Sequence, residues 1–421
     1  MRITRVVTVP VRGGFFTDDQ GAIRGDGRRD GFGYVGNPVT PGFSAIRQPT
    51  QALSVLFELD DGQLAHGDCV AVQYAGAGGR DPVFEASRAA DAVQSVVAPA
   101  VVGEELTSAR DLMHRLDALE VDGGPLHTAV RYGVTQAALD AVARSRRVTM
   151  AEVVRDDYDT GVDLRPVALF AQCGDEPYDN VDKMVLLGAD ALPHGLVNNV
   201  AAKVGADGAI LLGYVRWVRD RVFALRRDPT YLPLLHFDVY GTIGIALGGD
   251  VERIATYLQR LEAVAAPLRL RVEHPLDAGS RDAQVEAMAA LRRAVRARGC
   301  DVELAVDEWC NTAEDVALFV QAGAADVVHV KVPDLGGLNN TIETLMSLRR
   351  KGVLAYCGGS ATETERSAQV TAHVAMACGA DQVLAKPGMG VDEGMMIVGN
   401  EMARVHALAR SRSSSTGVAP Q

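Results

Sequence analysis

The chain has no apolar window approaching the roughly 18 residues that a membrane span needs, although 48% of its 421 residues are hydrophobic. A secretory leader is not expected either. The opening MRITRVVTVPVRGG is basic, but its apolar run is short and broken by proline, as suits a first strand. Cysteine is sparse. The six residues Cys69, Cys173, Cys300, Cys310, Cys357 and Cys378 lie far apart and form no CxxC and no zinc-ligand spacing. A disulfide framework and a zinc ribbon are therefore not expected, and reduced thiols in the cytoplasm are. Basic charge is also in deficit. A formal net charge of −12 disfavours nucleic acid and anionic membrane surfaces as partners. It leaves an anionic small molecule open, because a metal ion inverts the local field. No GxGxxG stands at a strand-to-helix turn, so a dinucleotide-binding open sheet lacks its usual sign.

Two rhythms are present. Residues 1–160 mix strands and helices. QALSVLFELDDGQLAHGDCVA (51–71) reads as a hairpin turning at Asp60-Asp61-Gly62. Helical periodicity follows near 83–100, 107–120 and 127–146. From about residue 165, short apolar runs alternate with amphipathic segments such as VERIATYLQRLEAVAA and DAQVEAMAALRRAVRAR. The runs are VALFAQ (167–172), ALPHGL (191–196), LLHFDV (234–239), LRLRVE (268–273), VELAVD (302–307), VVHVKV (327–332), VLAYCG (353–358) and QVLAKP (382–387). Eight β/α units predict an α/β fold, a TIM-type (β/α)8 barrel over 161–411, behind an N-terminal α+β capping domain over 1–160. The alternative is an open doubly wound sheet. EGMMIVGNEMARVHALARS (393–411) predicts a closing helix, and 412–421 a loose tail.

Charged residues end four consecutive runs. Asp238, Glu273, Asp307 and Lys331 follow one another at intervals of 35, 34 and 24 residues, each about one β/α unit. A parallel barrel gathers its strand C-termini at one mouth, so the four are expected to face one cavity. Three converging carboxylates repel unless a cation joins them. Oxygen ligands suit Mg²⁺ or Mn²⁺. Beside such an ion, Lys331 is expected to have a lowered pKa and to act as a base. His194 ends the second run and enters the same mouth. His236 shares a strand face with Asp238 and reads as a support for it. Arg271 and Glu303 read as a buried pair. His66, His114, His127, His373 and His406 read as structural. A cation-bound carboxylate makes the neighbouring C–H removable, which leads through an enolate to elimination or epimerisation.

The stretches HGDCVAVQYAGAGGRDP, LHTAVRYGVTQAALDAVA, YDNVDKM, HFDVYGTIG, VDEWCNTAEDV, KVPDLGG and VLAKPGMGVDEGMMIVGNEM resemble the methylaspartate ammonia-lyase family of the enolase superfamily, from residue 1 to about 410. The resemblance implies a capped TIM-like barrel, a homodimer, Mg²⁺ and a monovalent activator such as K⁺. It implies reversible loss of ammonia from threo-3-methylaspartate to give mesaconate. It assigns Asp238, Glu273 and Asp307 as metal ligands, Lys331 as the base for the (2S,3S) substrate and His194 as the catalytic group opposite. It assigns Gln73 and Gln172 to the substrate's amino and carboxylate groups, and Phe170, Tyr356 and Leu384 to a pocket around its methyl group.

Four positions depart from the family pattern. His329 stands where the family has glutamine, Ser360 and Ala361 where it has Thr-Cys, and His274 where it has glycine. The first three belong to the family's substrate shell. As imidazolium, His329 is expected to depress the pKa of Lys331; as neutral imidazole it keeps a donor for a carboxylate. Two alternatives compete: another enolase-superfamily dehydratase or racemase, and a silent binding protein that kept the fold. The Leu-Pro-His-Gly of the second run, where many such relatives carry Lys-x-Lys, disfavours the former. The complete Asp/Glu/Asp/Lys set disfavours the latter.

Overall fold

Alternation along the strand Arg47–Leu59 buries Leu53, Val55, Phe57 and Leu59 on one face and leaves Ser54, Leu56 and Glu58 half-buried on the other. The computed structural model describes residues 1–415 except 78, 175, 386, 387 and 389. Arg47–Leu59 lies between Ile3–Asp18 and Leu64–Cys69 in a three-stranded antiparallel sheet, and the expected hairpin turns at Gly62, where φ is 84°. The helix Thr128–Arg146 covers this sheet at backbone contact. A Cβ on Gly67 would lie 2.3 Å from the Gly133 carbonyl, so only glycine permits the approach. The helix is buried on nearly every side, which explains its poor amphipathic signal: it lies between sheet and barrel. The other predicted helices form over Ala86–Val101, with a wide turn at Val93–Val97, and over Ala109–Asp117.

All eight apolar runs become strands: Ala168–Ala171, Ala191–His194, Leu234–Asp238, Leu270–Glu273, Glu303–Val306, Val327–Lys331, Leu354–Gly358 and Gln382–Ala385. They are parallel and pair in chain order. The eighth closes on the first through Leu384↔Phe170, which overturns the open-sheet alternative. Residues 386 and 387 of the last run lie outside the described residues. Inside the cylinder, Phe170, Ala191, Leu234, Ala305, Val327, Tyr356 and Leu384 form a small cluster of their own, separate from the core between strands and helices. Arg271 donates to Glu303 Oε2 at 2.8 Å and 2.7 Å and to Gln382 Oε1 at 2.6 Å, the buried pair expected from their inward positions.

The cap is tied to the barrel by backbone and side chains. Gly14 N–H donates to Thr362 O at 2.9 Å, and a Cβ on Gly13 would lie 2.4 Å from that oxygen. Tyr132 donates to Glu363 at 2.9 Å, Thr364 to Asp68 at 2.6 Å, and Arg366 pairs with Asp140 at 2.9 Å. The closing helix runs Val391–Ser415, four residues beyond its expected end. Its Glu401 meets His373 at 2.9 Å, whose other nitrogen accepts from Ala151 N–H at 3.1 Å, and its Arg412 pairs with Glu152. The rest of the expected tail, 416–421, lies outside the described residues. Among the described residues, no helix is long and apolar enough to cross a membrane.

Candidate active site

Strand geometry alone gathers the expected residues. His194 ends the second strand, Asp238 the third and Glu273 the fourth; Asp307 follows the fifth and Lys331 ends the sixth. Strands two and six of an eight-stranded cylinder face each other, so His194 and Lys331 enter from opposite rims. Between them is a cavity of about 40 Å³. Ten of the thirteen residues singled out in the sequence line it: Gln73, Gln172, His194, Asp238, Asp307, His329, Lys331, Ser360, Ala361 and Leu384. Glu273, Phe170 and Tyr356 lie beneath. Phe170 stacks on His236 at 4.2 Å between ring centres, and Tyr356 donates to Glu273 Oε2 at 2.7 Å.

Six further residues line the cavity that pattern reasoning passed over: Val72, Tyr74, Arg80, Tyr240, Glu308 and Gly359. Arg80 pairs with Asp334 at 2.9 Å, both buried. Glu308 directly follows Asp307, and Arg80 lies within a stretch shared with the family; those were the available signals.

Gln73 is anchored from two sides. Its backbone N–H donates to Ser360 Oγ at 2.8 Å, and its side-chain Nε2 donates to Asp18 Oδ2 at 3.0 Å. Asp18 is gripped in turn by Arg47 at 2.7 Å through both nitrogens, a bidentate pair with fixed geometry. The Arg47 guanidinium lies 4.8–5.2 Å from the ring centres of Phe15, Phe32 and Tyr34. The four remote histidines His66, His127, His373 and His406 each contact cap, loop or helix groups away from the mouth, and His114 meets Glu343 at 2.9 Å.

Without the ion, burial pushes the Lys331 ammonium toward deprotonation, but Asp307, 2.8 Å away, Glu308 and Asp334 together outweigh burial and hold its pKa above the ordinary value. Lys331 in the chain alone is an ammonium, not a ready base. His329 follows the same logic. Its Nδ1 lies 2.9 Å from Glu273 and 3.3 Å from Asp307, and these carboxylates outweigh burial and raise its pKa. Burial likewise works against ionised Glu273 and Asp307. It is overcome at Glu273 by His329 and His236, and at Asp307 by Lys331 and His329, so both stay below the usual carboxylate range.

Asp238 receives no comparable help. Burial and the charges of Glu273, Glu308 and Asp307 push its pKa well above the usual range. Glu308 Oε2 and His274 Nδ1, 3.5 Å apart, are both buried without a hydrogen bond. His274 adopts a left-handed φ of 50°. The mouth thus holds a surplus of carboxylate oxygen over positive charge, a donor set that fits a divalent cation.

Burial lowers the pKa of His194 to about 3 and of His236 to about 4. His194 lies 3.5 Å from Asp238 at a left-handed φ of 68°, with Nδ1 buried and unbonded. Both rings are expected to stay neutral at pH 5 in the metal-free protein, as ¹⁵N chemical shifts of labelled histidine will report. The linkage follows in sign. A histidine whose folded pKa is depressed gives stability that is complete above its unfolded value near 6.5 and is lost as pH falls toward 4 and 3.

The His329 ring is wedged in place. Tyr356 stacks on it at 4.3 Å, and a Cβ on Gly358 would lie 1.7 Å from its Nε2. Gly358→Ala is expected to displace the ring and lower stability by about 1–3 kcal/mol. In denaturant melts, Gly358→Ala should cost little further in a His329→Ala background, since the two changes meet at one contact.

Comparison with known proteins now bears on this geometry. The family model for the methylaspartate ammonia-lyase N-terminus matches residues 1–159, and that for its C-terminus matches 161–411. The methylaspartate ammonia-lyase of Clostridium tetanomorphum is 52% identical, covering 98% of this chain and 100% of its own. The crystal structure of beta-methylaspartase from the same organism, an Mg complex, aligns with TM-score 0.94 over 98% of this chain and 100% of that one. The Citrobacter amalonaticus enzyme, solved containing (2S,3S)-3-methylaspartic acid, is 43% identical and aligns at TM-score 0.95 over 97% and 100% of the two chains. An L-Ala-D/L-Glu epimerase from Bacillus subtilis, 15% identical with TM-score 0.64 over 94% of this chain and 91% of its own, shares the fold.

Proposed function

Because the chain belongs to the methylaspartate ammonia-lyase family, we propose that it removes ammonia reversibly from threo-3-methylaspartate, or a closely related 3-substituted aspartate, to give mesaconate or its analogue. The observation that carries this reading is the placement of Lys331 and His194 on opposite rims of one cavity, with carboxylates between them. Asp238, Glu273 and Asp307 are the residues that would hold Mg²⁺. When bound, the ion supplies Lewis-acid stabilisation of the charge that proton loss sends into the substrate carboxylate.

Lys331, as the amine, takes the proton from C3 of the (2S,3S) substrate. The electron pair of that bond becomes the C2–C3 double bond, and the C2–N pair leaves with ammonia. An Asp307 engaged as a ligand no longer holds the ammonium, so the base form of Lys331 is linked to cation binding. In the addition direction, the lysine ammonium returns the proton. His194, neutral at pH 7, serves the opposite face of the substrate. Gln73, Gln172, Ser360 and the Ala361 backbone supply polar contacts to its amino and carboxylate groups. Leu384 faces its methyl group, with Phe170 and Tyr356 behind. A homodimer, a monovalent activator such as K⁺ and a cytoplasmic home complete the proposal on the family resemblance and the sparse, widely spaced cysteines.

The test is incubation with 3-methylaspartate and Mg²⁺. Ammonia and an ultraviolet-absorbing unsaturated acid should appear together, and EDTA should abolish both. Turnover of acid sugars alone would instead place the chain with the superfamily's dehydratases. No turnover of any candidate would leave a binding protein.

A further inference from the structure

We propose that His329 is itself a ligand of the divalent cation, giving this chain a centre of mixed carboxylate and imidazole donors that favours Mn²⁺ or Co²⁺ over Mg²⁺. This deepens the reading of the barrel mouth as a cation site and rests on it.

The geometry carries the argument. One ligand atom each from Glu273, Asp307 and His329 lie within 4.8 Å of one another, and these three form the only such cluster among the described residues. Asp238, the third carboxylate expected to join Glu273 and Asp307, is not in it. The Nδ1 atom stands 2.9 Å from Glu273 Oε1 and 3.3 Å from Asp307 Oδ1. Adjacent donors of an octahedral site with bonds of about 2.1 Å stand about 3.0 Å apart, so Nδ1 already stands near the spacing of a neighbouring ligand from each of the two carboxylate oxygens.

The ring has little freedom to turn away. It is 3% exposed, lies against the Tyr356 ring at an interplanar angle of 23°, and backs onto the bare α-carbon of Gly358. Glu273 is oriented on its far side. Its Oε2 accepts from Tyr356 at 2.7 Å and meets His236 Nε2 at 2.8 Å, which leaves Oε1 directed at His329. Such outer contacts are what hold ligand atoms in position around a metal. The chemistry then sets the preference. Sites of oxygen donors suit Mg²⁺, whereas an imidazole nitrogen favours the later first-row ions.

Two measurements on the full-length protein, made without substrate, decide the point. Electron spin-echo spectra of the Mn²⁺-loaded protein should show a directly bound ¹⁴N nucleus, and His329→Gln should lose it. Calorimetric titration with Co²⁺, Mn²⁺ and Mg²⁺ should show that His329→Gln lowers the preference for Co²⁺ and Mn²⁺ over Mg²⁺ by ~10-fold or more. If that variant does not fold, the wild-type spectrum and affinity ratio suffice. Binding that favours Mg²⁺, with no nitrogen coupling, overturns the proposal alone. Failure to bind any of the three ions overturns it together with the cation reading beneath it.

Discussion

Replacing Lys331 by alanine is expected to lower kcat for 3-methylaspartate by about 10²–10⁴-fold, the range lost with a positioned general base. The side chain ends the sixth strand with its amine 2.8 Å from Asp307 and opposite His194. No other lysine lines the cavity among the described residues, so no nearby amine takes over. Alanine also removes one cation from Asp307. Lys331→Arg therefore separates the two roles, because arginine keeps the charge beside Asp307 but cannot act as an amine base. Both variants should bind the divalent ion, and both should lose exchange of the C3 proton with solvent. An alanine variant within tenfold of wild type, or an arginine variant that still exchanges that proton, would remove Lys331 from the role of base.

Glu273→Ala is expected to be the most damaging carboxylate change, because Glu273 serves both chemistry and folding. It is fully buried and is contacted by His236, His329 and Tyr356 at 2.7–2.9 Å. Alanine leaves those groups facing a void, with the His329 charge reduced to its Asp307 contact. Breaking a buried charged pair from one side lowers stability by about 3–5 kcal/mol, which urea denaturation of the metal-free protein will read directly. Divalent-ion affinity should fall by at least ~100-fold, and activity with it. The pH sign is fixed by the depressed pKa of Glu273. Its stabilisation is complete above the ordinary glutamate value and is lost progressively as pH falls from there through the lower folded value, so the penalty of the substitution should begin to shrink only below that ordinary value. A variant that melts with wild type at pH 7 would contradict this account.

Much of this was legible because a barrel imposes one rule on every unit. A polar residue at the end of a buried apolar run points to the common mouth, and spacings of about one unit placed Asp238, Glu273, Asp307 and Lys331 there. The second and eighth runs followed as well, since closure requires strands at those positions. What stayed hidden depends on contacts between distant segments. The family pattern carried Arg80 without a role; its partner Asp334 is 254 residues away. The state of Lys331 without the ion depends on such contacts too: burial alone predicts a weaker ammonium, and only the carboxylates around it show that it stays charged. His329 reads in the sequence as a substrate contact beside the lysine; that packing by Tyr356 and Gly358 also holds its Nδ1 toward two carboxylates is visible only in the fold.

The ties between cap and barrel have a consequence for how the protein is made. Residues 1–160 leave the ribosome before the barrel, yet their inner surface is completed by Thr362, Glu363, Thr364, Arg366 and His373, and at last by Arg412. Domains commonly fold in order of synthesis. Here the cap must wait, with its polar partners unmet, until the last barrel units and the closing helix have been translated.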